Sequence, residues 1–211
     1  MELSLMIIFW YGMLHAFGPD HLTVIADFSI GKNSLKTLTI TLLFALGHGI
    51  SLFVFAKLLQ TITIPSEILA YGDMISAAVI ILMGIYLLYM VFSDRIQLRK
   101  HVHDGEEHIH IWFGKSHEHN SVDTLSSFSL GILMGIGGIR GMLVTLGVVQ
   151  GSVDLILVAV FTLGVMSIFL LFGLMMRYIN IHLLDNKTNV RRAFATAGVI
   201  SLVVGTNILL G

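Results

Sequence analysis

The chain has 211 residues, of which 55% are hydrophobic and 12% charged, with a mean hydropathy of +0.88, a balance foreign to soluble domains of this length. The net charge of −1 hides charges confined to short connectors and so says nothing about partners; no nucleic acid is expected. Cysteine is absent, which excludes disulfides and thiolate redox chemistry and leaves nitrogen, oxygen and thioether groups to hold any metal.

Apolar runs long enough to cross roughly 30 Å of hydrocarbon as helices predict six spans, near residues 3–26, 35–59, 68–92, 127–149, 153–178 and 193–210. The fold class expected is an all-α, multi-pass integral membrane protein. The first apolar segment lacks a basic leader and a small-residue cleavage site, so it reads as a mature helix rather than a signal peptide. Polar clusters such as Gly31-Lys32-Asn33-Ser34, Gln150-Gly151-Ser152 and Asp185-Asn186, together with Pro65, punctuate the spans. One long connector, 94–126, separates a first three-helix half, 1–93, from a second, 127–211.

Basic residues gather in alternate connectors: Lys32 and Lys36 in the first, Arg95, Arg99, Lys100 and Lys115 in the third, Arg177, Lys187, Arg191 and Arg192 in the fifth. The second holds at most Lys57. The positive-inside bias therefore places the odd connectors in the cytoplasm and both termini outside, in the cell membrane.

Span one carries His15-Ala16-Phe17-Gly18-Pro19-Asp20-His21, three ionisable groups at a depth where each is costly without a partner. On an unbroken helix His15 and Asp20 diverge by about 140° and His15 and His21 by about 120°, too far to clasp one small ion. Pro19 removes a backbone donor and disfavours helical geometry at Gly18, so a broken first helix is expected, with these side chains turned toward one point. A purely structural alternative has Pro19 opening a helix, Asp20 capping its first turn and the histidines satisfying carbonyls.

Span two adds His48 between Gly47 and Gly49, where small neighbours admit a close helix or an ion. The expected transport site is thus His15, Asp20, His21 and His48. Imidazoles with a carboxylate suit nickel, cobalt, copper or zinc, whereas magnesium or calcium favour an oxygen shell.

The pattern His15-x-x-x-x-Asp20-His21, followed in the next helix by Phe44-Ala45-Leu46-Gly47-His48, resembles the signatures of the nickel/cobalt transporter (NicO) family. The match covers about residues 12–50, and the layout is similar to that of short six-helix members. The resemblance implies a permease for nickel or cobalt. Such permeases carry an acidic motif where their second half opens; this chain reads Gly135-Ile136-Gly137-Gly138-Ile139-Arg140-Gly141 there.

The long connector holds three His-x-His pairs, His101/His103, His108/His110 and His117/His119. Asp104-Gly105 is a strong two-residue hairpin signal. It predicts His103 opposite Glu106 and His101 opposite His108, with His101, His103, Glu106, His108 and His110 on one face. That face reads as a cytoplasmic metal-binding surface, separate from the transport site; the alternative is a solvated loop whose histidines are incidental.

The halves resemble one another. Gly12-Met13-Leu14 aligns with Gly131-Ile132-Leu133, and Phe44-Ala45-Leu46-Gly47 with Phe161-Thr162-Leu163-Gly164. Because spans one and four enter from opposite sides, this predicts a three-plus-three inverted repeat. In the alignment Arg140 falls opposite His21, a candidate counter-ion for Asp20. Met134 falls opposite His15, as an extra thioether ligand or as packing.

The function expected is secondary transport of a divalent transition-metal ion, nickel or cobalt first, then zinc or another divalent ion, with no permanent cofactor and no enzymatic activity. No phosphate-binding glycine loop is present to energise it. Partners expected are the lipid bilayer and the ion, with a metallochaperone or a second copy of the chain as further candidates. The alternatives are a six-helix electron-transfer or haem-binding protein, in which paired histidines ligate iron, and a membrane metalloprotease, for which no zinc-protease spacing exists.

Overall fold

The computed structural model describes residues 2–59, 66–94, 96–103, 106–113, 122–150, 154–184 and 186–210. Their elements, in chain order, are helices α1 (Glu2–Ala16), α2 (Pro19–Ser29), α3 (Ser34–Leu59) and α4 (Ser66–Phe92), strands β1 (Ile96–His103) and β2 (Glu106–Phe113), then helices α5 (Val122–Gln150), α6 (Leu155–His182) and α7 (Lys187–Leu210).

The first span is broken where expected. Helix α1 ends at Ala16, and α2 starts with Pro19 at its first position, where a missing N–H costs nothing. Gly18 between them is extended, at φ −50 and ψ 127. Its N–H still donates to His15 O (2.9 Å), and its carbonyl accepts from the N–H of His21 and Leu22. The break is therefore narrow and its backbone groups are satisfied, as a low-dielectric setting demands. It also carries the element on to Ser29, three residues beyond the expected edge.

Four helices, Ser34–Leu59, Tyr71–Phe92, Leu155–His182 and Lys187–Leu210, are long and apolar enough to cross a membrane; Glu2–Ala16 and Leu125–Ile139 are shorter apolar helices. Their outer faces are apolar too: Leu82, Leu171 and Val203 are 65%, 61% and 64% exposed. Such surfaces demand hydrocarbon rather than water, and the chain is membrane-embedded. Two buried hydroxyls are satisfied within their own helices: Thr41 Oγ1 donates to Thr37 O (2.9 Å) and Ser201 Oγ lies 2.8 Å from Ala197 O, whereas those of Ser29, Ser51, Ser76 and Thr162 have no hydrogen-bond partner among the described residues.

The helices associate in pairs, α1 against α6, α3 against α5 and α4 against α7, with α3 also on α6 and α4 on α5. Each main pair meets through glycines. A Cβ on Gly12 would strike the Phe161 carbonyl and one on Gly164 the Phe9 carbonyl; Gly131 stands likewise to Phe44, and Gly47 to Phe128. Gly84 and Gly198 face each other's carbonyls. Close backbone approach of this kind replaces the hydrophobic drive that lipid cannot supply.

At one end of the bundle Asn180 of α6 ties down the α2–α3 turn. Its Nδ2 donates to Ser29 O (2.7 Å) and Thr37 Oγ1 (3.0 Å), while Oδ1 accepts from Gly31 N–H (2.9 Å). Gly31 turns the chain with a positive φ of 75, which a side chain would resist. At the same end Asp94, exposed beyond α4, pairs with Lys187 and Arg191 of α7, each at 3.1 Å.

Among the described residues, strands β1 and β2 form the one departure from an all-α architecture. They pair antiparallel with His101 opposite His108, His103 opposite Glu106 and Arg99 opposite His110, the register that Asp104-Gly105 requires. The hairpin is rooted in the bundle by Ile96, fully buried beside Leu87, Met90, Val91 and Leu184.

Candidate metal centre

Three elements converge on the site. His15 is the last residue but one of α1, His21 lies in the first turn of α2, and His48 sits midway along α3. The break turns the first two toward one another: His15 Nε2 and His21 Nε2 are 3.1 Å apart. Each of the three imidazoles offers one ring nitrogen, all within 4.8 Å of one another. Ring centroids stand 4.9 Å apart for His15 and His21, 4.7 Å for His21 and His48, and 6.0 Å for His15 and His48.

His21 and His48 are buried, at 1% and 0% exposure. Both ring nitrogens of His48 lack a hydrogen-bond partner among the described residues. A buried imidazole in that condition is expensive, and here it faces two other imidazoles. The structural alternative holds in part, since α2 opens at Pro19, but His15 and His21 meet each other instead of satisfying carbonyls.

Asp20 stands behind the cluster. Its Oδ2 is 2.8 Å from His21 Nδ1, although that nitrogen counts among the buried atoms without a well-directed hydrogen bond; the contact is an ion-pair distance with poor alignment. The carboxylate thus reaches the ring nitrogen opposite the one that faces His15. This is the arrangement in which an acidic group fixes a histidine's tautomer and leaves the other nitrogen to a metal.

Phenylalanines wall the cluster. Phe161 packs on His15 at 5.3 Å between centroids, and Phe169 on His21 and His48 at 5.7 and 5.4 Å. Phe44 stacks on His48 at 6.2 Å. The remaining wall is Gly138 of α5: a Cβ there would lie 3.0 Å from His15 Nε2 and 3.3 Å from His48 Cε1.

Met134 is fully buried within the main apolar cluster. Arg140 lies on α5 two residues past Gly138, and its side chain is outside the described residues. The hairpin brings the positions of His101, His103, Glu106, His108 and His110 to one face by its register, while His117 and His119 lie outside the described residues.

Residues that sequence reasoning passed over complete the picture. In the sequence Gly138 is one member of a glycine-rich run, Phe161 enters only as the repeat counterpart of Phe44, and Phe169 carries no signal of its own. Asp27 fell just past the expected end of span one. It is 7% exposed on α2, and its Oδ2 accepts from Ser201 Oγ of α7 at 2.7 Å.

Compared with known proteins, the chain matches no family model, no curated protein and no solved structure.

Proposed function

We propose that this chain is a secondary transporter that carries a divalent transition-metal ion, nickel or cobalt first, through a site formed by His15, His21 and His48. The carrying observation is the set of three imidazole donors within 4.8 Å, one of them, His48, buried with both nitrogens unpartnered. Bound to one ion at about 2.0–2.1 Å, such nitrogens lie roughly 3–3.5 Å apart, so capture needs ring adjustments of about 1 Å. Imidazole is the donor that later first-row ions prefer, and the absence of cysteine leaves no softer competitor.

The site's residues divide the labour. His15 Nε2 and His21 Nε2 lie 3.1 Å apart, a distance that one ring's N–H bridges in one tautomer pairing, and a cation takes that place once the proton moves to the same ring's Nδ1, since ligation needs a bare nitrogen on each ring. Asp20, at His21 Nδ1, holds the ring so that Nε2 faces inward and supplies negative charge against the ion's two positive ones. The phenylalanines exclude water and Gly138 leaves the room an ion requires. Rings that touch one another and are packed by Phe161 and Phe169 leave no slot for a porphyrin between two of them, which disfavours the haem reading.

The same reading includes six spans, cytoplasmic odd connectors and an inverted repeat. The glycine contacts support the repeat: Phe9 and Gly12 of α1 map onto Phe128 and Gly131 of α5, and Phe44 and Gly47 of α3 onto Phe161 and Gly164 of α6, so that the α1–α6 contact is the counterpart of α3–α5. The reciprocal Gly84–Gly198 contact between α4 and α7 is what a pseudo-two-fold axis between those helices produces. Transporters of this design bind cargo where repeats meet, beside a broken helix. The histidine-bearing hairpin serves as an accessory metal-binding face, tuning flux without carrying it.

The test is metal flux into proteoliposomes, with several metals compared side by side. His15→Ala and His48→Ala abolish nickel flux, Asp20→Asn lowers it by about 10–100-fold through loss of ring orientation, and deletion of 101–119 leaves flux measurable. Undiminished flux in His15→Ala and His48→Ala removes the site from the transport path.

A further inference from the structure

A second polar feature lies on the same helix as His21, away from the histidines. Asp27 is buried to 7% exposure and anchored through Oδ2 by Ser201 Oγ at 2.7 Å. Its other oxygen, Oδ1, is buried without a hydrogen-bond partner among the described residues. Asp27 also lines a cavity of about 360 Å³, walled by Ile30, Leu82, Met83, Leu87 and Phe194 and reached by Lys32 and Tyr86.

A carboxylate placed so is poorly equipped to hold a metal. It offers one free oxygen and one hydroxyl neighbour; apart from the phenol of Tyr86 the rest of the cavity lining is apolar, and Lys32, the one charged group besides Asp27 that lines it among the described residues, is a cation. Hard and borderline ions need several donors. A proton needs only one: a protonated Oδ1 would satisfy itself as a donor toward water in the cavity, while Oδ2 keeps its bond from Ser201. Ser201 Oγ is also 2.8 Å from Ala197 O within its helix, so a single hydroxyl proton is shared between the carbonyl and the carboxylate, and the carboxylate receives weak stabilisation.

We infer that Asp27 is a proton-binding site that couples proton movement to cation occupancy of the histidine cluster. Asp27 lies six residues after His21 on one continuous helix, roughly 9 Å along the axis at 1.5 Å per residue. At that range, in a medium of low dielectric, two added positive charges at the cluster favour the ionised carboxylate. Cation arrival therefore expels the proton from the Asp27 carboxyl to water in the cavity, leaving a carboxylate, and cation departure allows its recapture. The titratable groups facing Asp27 from neighbouring elements are Lys32 of the α2–α3 connector and Tyr86 of α4, with the hydroxyl of Ser201 from α7. The proton itself does not depend on transport; the coupling rests on the metal reading of the histidine cluster.

Infrared difference spectroscopy of the full chain in lipid vesicles, over a pH titration without metal and then with nickel, tests it directly. The expected result is a protonated-carboxyl C=O band that is lost in Asp27→Asn, shifts in Ser201→Ala and weakens when nickel is added. The weakening is lost in His48→Ala while the band itself remains. If no such band exists, or if Asp27→Asn retains it, Asp27 is not the proton carrier. If the band is present and insensitive to nickel while calorimetry shows nickel bound, the coupling is overturned. If nickel binds equally to wild type and His48→Ala, the metal reading fails while the proton site stands.

Discussion

Substituting Gly138 by alanine probes the site wall without touching a ligand. The new methyl carbon would lie 3.0 Å from His15 Nε2, 3.3 Å from His48 Cε1 and 3.4 Å from His15 Cε1, against favourable separations of about 3.5–4.0 Å. His15 must withdraw by about half an ångström, more than the ±0.2 Å or so that a metal site tolerates in its ligand distances. Nickel affinity should fall about 10–100-fold, the range for disturbed ligand support, equivalent to about 1.4–2.8 kcal/mol. The helix itself gains, because alanine is favoured over glycine by about 1 kcal/mol in a helix interior. Calorimetric titration of nickel into purified Gly138→Ala, beside its thermal melt, separates the two effects. An unchanged affinity in a folded variant would refute the placement of α5 against the histidines, and so would affinity lost only together with the fold.

Other perturbations read out the frame. Asn180→Ala removes three hydrogen bonds that fix the α2–α3 turn and should cost about 2 kcal/mol at 0.6–1 kcal/mol each, measured as unfolding free energy in bicelles; a cost near zero would mean the turn is held otherwise. Gly12→Ala and Gly131→Ala drive a methyl into the Phe161 and Phe44 carbonyls respectively, and as repeat counterparts they should destabilise to the same extent; a marked inequality argues against the pseudo-symmetry. The Asp94 carboxyl is held below its ordinary value, first by the hydrogen bond from Lys187 and then by its charge and that of Arg191. A depressed folded value means the link is present at neutral pH and lost as acidification passes through that value. Amide exchange at the start of α7 should therefore quicken at low pH in wild type and at neutral pH in Asp94→Ala; pH-independent protection in wild type would contradict it.

Much of this architecture was legible because glycine, proline and histidine each carry their own signal. Gly18-Pro19 announces a break, and the break explains how His15 and His21, divergent on a straight helix, meet at 3.1 Å. Asp104-Gly105 sets the hairpin register, which the strands follow. Other features left no trace in the chain. Asp20 was expected among the ligands, yet it stands at the rear nitrogen of His21, because ring orientation depends on packing and not on spacing. Gly138 has no chemistry of its own; its part comes from the two histidines it admits. Asp27 escaped notice because the narrow break extends the first span to Ser29, drawing into the bundle a residue that hydropathy leaves at its edge. The helices' apolar outer faces also hide which side meets lipid, since hydrocarbon and core select the same side chains.

The most direct test of the metal centre is X-ray absorption spectroscopy of the nickel-loaded protein in lipid. Three imidazole nitrogens are expected in the nickel shell at about 2.1 Å, one of them lost in His48→Ala and the tight binding lost in His15→Ala. A shell of oxygens alone, or a spectrum that His48→Ala leaves unaltered, would contradict the assignment of His15, His21 and His48 as the cation's ligands.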